Sequence, residues 1–374
     1  MKVILAHTLK PPTENRINLK LSFALSEIKD LKIKVLGSQN FQLKDDYCLD
    51  GVDYESPFRH GSGTFSTFEN QAILWKFVKD WRPNAIVCCS PDLLLITILA
   101  RWRYGTKVIF DCQENFALNF RYQKHSGWWK SLLFSRLWSL FLVIIIKWID
   151  RVWLAEDVYQ TQLPVLSKKA RVFENRLSPV FANEDLESAG RHFPTLTFTG
   201  VVSEESGVLE AARFLSQFKT QFQDWKTQII GFCPNEELNH HLQKEYNKNG
   251  QLLKIDRWIP SSEILKAVEN SDAVLMPYRE SKANLGKVPT KYYEALYLGK
   301  PVLVQQGSDF AKLASQHGAG IEVNFAQPDK NDWNLILAQI LEYKPATVHS
   351  KSYIFDAEGL RNDFLALVEP GSDF

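Results

Sequence analysis

Lys287, Lys291 and Glu294 set two cations and a carboxylate around the start of one expected helix. They lie in residues 272–304, which read as a strand (273–276), a loop (277–288), a helix (289–298), Gly299 and a second strand (301–304). Pro289 suits the first turn of a helix and Gly299 suits its stop. The loop leaves the C-terminal end of a parallel strand, where such sheets bind ligands. The helix N-terminus that follows offers unpaired N–H groups and the positive end of the helix dipole, which together suit a diphosphate. Lys287 and Lys291 add cations there. Glu294 follows Lys291 by three residues and shares its helix face, where a carboxylate accepts hydrogen bonds from two ribose hydroxyls. The same spacing also fits an ordinary amphipathic helix with a solvated Lys–Glu pair.

A second chemical feature is a basic, apolar stretch. Residues 101–151 hold nine Lys and Arg, interleaved with Trp128, Trp129, Leu133, Phe134, Trp138 and the run 140–146. Aromatic and aliphatic residues flanked by cations are what a segment lying in a membrane interface requires. Each such cation near an anionic leaflet contributes about 1 kcal/mol. Contact is expected over 120–138, with 140–146 buried between sheet and neighbouring helices; a wholly buried helix is the competing reading. The stretch 128–149 is too short to span a bilayer. Its apolar core, 137–146, contains Ser139 and lies between Arg136 and Lys147, whereas spanning takes about 20 apolar residues.

The elements that must position these residues alternate along the chain. Strands are expected at 2–6, 32–36, 85–89, 107–111, 151–155 and 171–173, then at 196–199, 227–231, 273–276, 301–304 and 320–323. Helices are expected between them, including 18–27, 68–79, 91–104, 128–149, 207–218, 235–247, 261–269, 309–315 and 333–342. Repeated strand–helix units with short connections imply a parallel sheet covered by helices on both faces. The loose stretch 175–194 separates two such sets. At 374 residues, the length suits two domains of ordinary size. The expected class is therefore α/β, two doubly wound Rossmann-like domains facing a cleft. Expected boundaries are 1–180, a linker at 181–194, 195–345, and a C-terminal helix in 346–374 that crosses back to the first domain.

Composition narrows the partners. Residues 1–180 carry 25 Lys and Arg against 17 Asp and Glu, and the remainder 19 against 26, so a net charge of +1 hides +8 and −7. A nucleic-acid binder is usually basic throughout its binding module, so nucleic acid is not an expected partner. The asymmetry points to one charged face towards an anionic surface. The five cysteines show no metal-ligand spacing and read as reduced, mostly buried thiols. The start, MKVILAHTLK, reads as a strand rather than a signal peptide.

The pattern Pro289, Lys291, Tyr292, Glu294, Ala295, Gly299, Lys300, Pro301, Val302 resembles the donor-site signature of family-4-type GT-B glycosyltransferases. The resemblance implies that Glu294 binds the ribose of a nucleotide sugar, with Tyr278 and Arg279 near the donor. Residues 257–265 (RWIPSSEIL) are similar to the loop that contacts the nucleobase, near Trp258 and Ile259. Residues 199–209 (TGVVSEESGVL) resemble the glycine loop at Gly200, and 108–114 (VIFDCQE) resembles a strand-end motif of the form Asp-x-His-Glu. The match covers about residues 80–325. Three departures stand out: Gly286 replaces a glutamate, Val201 and Ser206 replace the cations that neutralise the diphosphate, and Gln113 replaces the histidine.

What the resemblance implies is transfer of a sugar from a nucleoside diphosphate sugar, a co-substrate rather than a bound cofactor, to a hydroxyl acceptor. No metal is expected. Asp111 and Glu114 are the expected catalytic carboxylates at the acceptor rim: a base if the enzyme inverts the anomeric centre, acceptor-binding groups if it retains. His7, Glu14 and Arg16 are rivals for that place. The expected acceptor is a saccharide or lipid-linked saccharide in envelope or capsular polysaccharide assembly, with the protein cytoplasmic and peripheral on the inner face of the membrane. The alternatives are a non-catalytic partner subunit of the same fold, favoured by Val201, Ser206 and Gly286 and opposed by Lys291 and Glu294, and a nucleotide-sugar epimerase.

Overall fold

The computed structural model describes residues 1–39, 48–59, 64–122, 128–182, 193–246, 251–256, 259–278, 281–282 and 284–369. The chain divides into two compact units, residues 1–180 with 355–374, and residues 181–354.

The first unit holds β1 (Lys2–Ala6), α1 (Phe23–Ser26, entered through a π-helical turn at Ile17–Ser22), β2 (Lys32–Ser38), β3 (Val52–Phe58), α2 (Thr64–Trp81), β4 (Ala85–Cys88), α3 (Leu94–Tyr104), β5 (Lys107–Cys112), α4 (Phe116–Tyr122), α5 (Trp128–Ile145), β6 (Arg151–Leu154), α6 (Tyr159–Gln162) and β7 (Ala170–Val172). After α7 (Pro179–Ala182) the second unit holds β8 (Thr195–Val201), α8 (Val208–Gln221), β9 (Lys226–Phe232), α9 (Glu236–Tyr246), β10 (Leu252–Asp256), α10 (Ser261–Glu269), β11 (Ala273–Met276), α11 (Thr290–Tyr297), β12 (Val302–Gln305), α12 (Asp309–Gln316), β13 (Gly320–Val323) and α13 (Trp333–Glu342). The last helix, α14 (Ala357–Val368), belongs to the first unit.

The two sheets run in the orders β3-β2-β1-β4-β5-β6-β7 and β10-β9-β8-β11-β12-β13. Every pairing is parallel. Parallel strands are covered on both faces, so they need continuous apolar runs rather than alternation. Val3, Ile4, Leu5 and Ala6 in β1, and Ala273 to Met276 in β11, are accordingly buried. In each unit the chain order reverses beside the first strand, between β1 and β4 and between β8 and β11. α14 packs Leu360 and Phe364 into the core face that holds Val3, Leu5 and Trp153, and Asp363 accepts a hydrogen bond from the Trp153 indole at 2.9 Å.

Three local expectations need correction. β3 and β10 are strands where none is expected from the sequence. Both are edge strands with half-exposed residues, so neither carries the apolar run of a central strand, and Pro57 further disguises β3. The expected helix 128–149 ends as α-helix at Ile145 and closes with a 3-10 turn at Ile146–Trp148. The segment 140–146 is not buried throughout: Leu142 and Ile145 are, whereas Leu140, Val143 and Ile144 are exposed. Most of the expected linker, 183–192, lies outside the described residues.

Candidate functional site

β8 and β11 lie side by side in the second sheet, with Phe198 opposite Leu275. Open parallel sheets bind ligands beyond the C-terminal ends of the strands where the chain order reverses. Two glycines with positive φ shape the backbone at that point. Gly200 has φ +97°, and a β-carbon there would lie 3.8 Å from the Lys291 side chain. Gly207 has φ +76° and precedes α8; a β-carbon would lie 2.0 Å from the Pro277 carbonyl oxygen. Between them, Ser203 and Ser206 close the loop on itself. The Ser203 N–H donates to Ser206 Oγ at 3.1 Å, and that hydroxyl donates to the Ser203 carbonyl at 2.8 Å. Ser206 is thus a loop-closing residue at a place where the resembled family has a cation.

Lys291 sits in the first turn of α11, after Pro289 at the N-cap. The residue is only 7% exposed. Its Nζ donates to the Thr199 carbonyl at 2.8 Å and lies 4.4 Å from the Phe198 ring centroid and 4.8 Å from that of Tyr278. Burial pushes its pKa down from 10.5 to about 7, and the negative charge of Glu294 partly opposes this. The amine is therefore poised near neutrality, and an arriving anion would restore its charge. Burial raises the Tyr278 phenol, and Glu294 adds to that shift. Thr199 Oγ1 is buried in the same region without a hydrogen-bond partner.

Gly200, Tyr278, Lys291 and half-buried Glu294 thus gather at the β8–β11 switch point. Lys287 is half-buried three residues before α11, and Ile259 is buried just ahead of α10. Trp258 and Arg279 lie outside the described residues. Gly286, the place of the missing glutamate, has φ +77°. A β-carbon in that left-handed region costs about 1–2 kcal/mol, so the local backbone suits glycine. A cavity of about 330 Å³ opens beside the cluster and shares Tyr278 with it; Pro277, Glu210, Gln305, Gly307 and Phe325 form much of its wall. None of these wall residues stands out in the sequence as a binding group. The turn Gly307–Ser308, where Ser308 caps α12 through the Ala311 N–H at 2.9 Å, is the signal that marks the cavity.

The first unit has its own charged cluster at the ends of β1 and β5. Asp111 is fully buried, and its carboxylate takes hydrogen bonds from Arg16 Nη2 at 2.7 Å, Arg16 Nε at 3.1 Å and Gln113 Nε2 at 2.8 Å. Asp111 therefore lies beneath the surface rather than at a rim, because Arg16 and Gln113 close over it. Glu114 is exposed and accepts from Asn119 Nδ2 at 2.6 Å. Lys10 Nζ donates to Glu14 and to Gln113, each at 2.9 Å. Gln113, which stands where the resembled motif has histidine, links Lys10 to Asp111. His7 accepts the Leu9 and Lys10 N–H groups at Nδ1 (3.0 and 3.2 Å). Burial, with Lys10 nearby, lowers its pKa to about 3. Burial pushes Glu14 up, but Lys10 and the Ile17 N–H outweigh it and hold the carboxyl at about 2. Among the described residues no group of three or more His, Cys, Asp or Glu is placed to hold a metal ion.

No protein-family model matches the chain, and no curated protein matches it by sequence. Solved structures do. An alpha,alpha-trehalose-phosphate synthase (UDP-forming) from Burkholderia xenovorans, in complex with glucose-6-phosphate, superposes with a TM-score of 0.62 at 10% identity, covering 98% of this chain and 96% of that one. A UDP-N-acetylglucosamine 2-epimerase gives 0.61 at 13% identity, covering 98% and 95%. MnaA of S. aureus, in a co-structure with UDP, gives 0.61 at 14%, covering 100% and 99%. At such identities the likeness is one of fold: parallel sheets of seven and six strands with alternating helices, the two-domain GT-B fold. The finer family-4-type resemblance rests on the motif alone.

Proposed function

We propose that the protein is a glycosyltransferase that moves a sugar from a nucleoside diphosphate sugar to a hydroxyl acceptor, with the donor held by the second unit. The observation that carries this reading is the gathering of Gly200, Tyr278, Lys291 and Glu294 at the N-terminus of α11 and the switch point of the sheet. In it, the diphosphate lies against the first turn of α11 and is neutralised by Lys291, with Lys287 nearby; Glu294 accepts the ribose hydroxyls. These groups oppose the charge that grows on the diphosphate as its bond to the sugar breaks. The acceptor oxygen forms the new bond to the anomeric carbon. Its proton passes to Glu114 if the configuration inverts, or to the departing diphosphate if it is retained. Glu114 is the catalytic carboxylate in this reading, and Asp111, held by Arg16 and Gln113, positions that strand end. The proposed acceptor is a saccharide or lipid-linked saccharide of envelope or capsular polysaccharide assembly, met on the cytoplasmic side of the membrane. UDP is the first nucleotide to test, since one fold neighbour is described as UDP-forming and another holds UDP.

The epimerase among the fold neighbours supports a second reading, in which one nucleotide sugar is converted into its epimer. Incubation with a panel of nucleotide sugars, with and without lipid extract, separates the readings. Transfer releases nucleoside diphosphate and labels an acceptor. Epimerisation yields a new nucleotide sugar with no acceptor present. Binding without turnover would instead identify a non-catalytic subunit.

A further inference from the structure

α5 has one face in the core and the other in open solvent. Leu142 and Ile145 join the cluster that holds Ile86, Val108 and Val152. On the other side Trp129, Leu133, Leu137, Leu140 and Ile144 recur at helical spacing, each between 49% and 68% exposed. α3 continues the strip. Its Leu95, Leu99 and Trp102 are exposed at positions i, i+4 and i+7, and the Trp102 ring meets Trp148 edge-on at 5.1 Å just beyond α5. The window Ser131–Trp148 has a mean hydropathy of 1.6 yet is only 22% buried. Monomeric soluble proteins rarely expose contiguous apolar patches larger than a few hundred Å², so this strip requires a cover.

Charge identifies the cover. Between Glu114 and Asp150 the chain has five Lys and Arg and no acidic residue. Arg121, Arg136 and Lys147 are exposed there, as is Arg103 at the end of α3. A second copy docking through the same face would set cation against cation with no carboxylate from this stretch in reply. An anionic lipid surface answers both the apolar strip and its cations. With Leu142 and Ile145 in the core, α5 lies along such a surface rather than across it.

We propose that the outer faces of α3 and α5 dock on an anionic bilayer, the apolar strip entering the boundary between headgroups and acyl chains. This goes beyond the glycosyl-transfer reading and does not depend on it. The test is co-sedimentation of the full chain with vesicles of phosphatidylcholine alone and of phosphatidylcholine mixed with phosphatidylglycerol. The expected result is strong partition onto the anionic vesicles only. Leu133→Ser with Leu137→Ser and Leu140→Ser lowers it at least ~10-fold, as the apolar contact is lost. Arg136→Glu with Lys147→Glu does so by ~10-fold or more through charge. Melting curves of both variants, which alter exposed positions, confirm that the fold is kept. Absence of binding to anionic vesicles overturns the proposal. So does binding unchanged in both variants, or a dimer in solution that these substitutions abolish while vesicles bind nothing.

Discussion

Lys291 lies in the first turn of α11 with its amine beside the rings of Phe198 and Tyr278 and donating to the Thr199 carbonyl. Spacing marks it as a cation flanking a helix N-terminus, and that placement is legible from Pro289 and Gly299 alone. Its enclosure by Phe198 of β8 and Tyr278 of the following loop is not legible, because those residues lie 93 and 13 positions away and meet it only in the folded sheet. The enclosure has consequences with a definite sign. With a folded pKa of about 7 against 10.5, the amine binds fewer protons folded than unfolded between those values. Its contribution to stability is therefore unfavourable below about pH 7 and improves as pH rises through that window. A bound diphosphate reverses the preference and holds the proton. Nucleoside diphosphate binding at about pH 8 is thus expected to take up a proton, and affinity is expected to decline above neutrality. Calorimetry in two buffers of different protonation enthalpy reads the uptake directly. Lys291→Met should abolish it and weaken binding ~10–100-fold, the worth of a charge-assisted hydrogen bond. Equal proton uptake in the variant would assign it to another group.

At the scale of elements, close approach between the β8–α8 loop and the end of β11 builds the site. Gly207 combines φ +76° with a β-carbon position 2.0 Å from the Pro277 carbonyl oxygen. Gly207→Ala is expected to cost several kcal/mol, about 3 or more when strain and overpacking add, and to weaken nucleotide binding with it. Gly307→Ala is the control: its φ of +73° carries strain, but nothing lies within 4 Å of the added carbon, so the loss should be nearer 1 kcal/mol. Equal losses in chemical denaturation would remove close packing as the reason for glycine at 207. The central strands are legible because burial on both faces forces apolar runs on them. β3 and β10 are not, since an edge strand is half solvated and its pattern imitates a loop. The charged cluster of the first unit is partly legible. Asp111, Glu14 and Arg16 stand out as polar residues after strands, but the burial of Asp111 beneath Arg16 depends on a pairing across 95 residues.

At the scale of the molecule, the chain builds two units with separate cores and returns its last helix to the first. Phe364 and Leu360 are buried against β1 and β6 residues, so the first unit is completed only when the final segment is in place. Phe364→Ala is expected to destabilise that unit by about 3–5 kcal/mol, a large part of the roughly 5–15 kcal/mol typical of a domain. In calorimetry its transition should fall while the nucleotide-stabilised transition of the second unit stays in place. A fall of both together would show that the units unfold as one.

Thermal unfolding with UDP and the other nucleoside diphosphates reads out a nucleoside diphosphate site at the N-terminus of α11. A ligand at about 100 times its Kd stabilises the bound form by about 2.7 kcal/mol. At least one nucleotide is expected to raise the melting temperature of the second unit by several degrees, and Lys291→Met and Glu294→Gln are each expected to remove most of the rise. No rise with any of them at millimolar concentration, or a rise that survives both substitutions, would contradict the presence of that site.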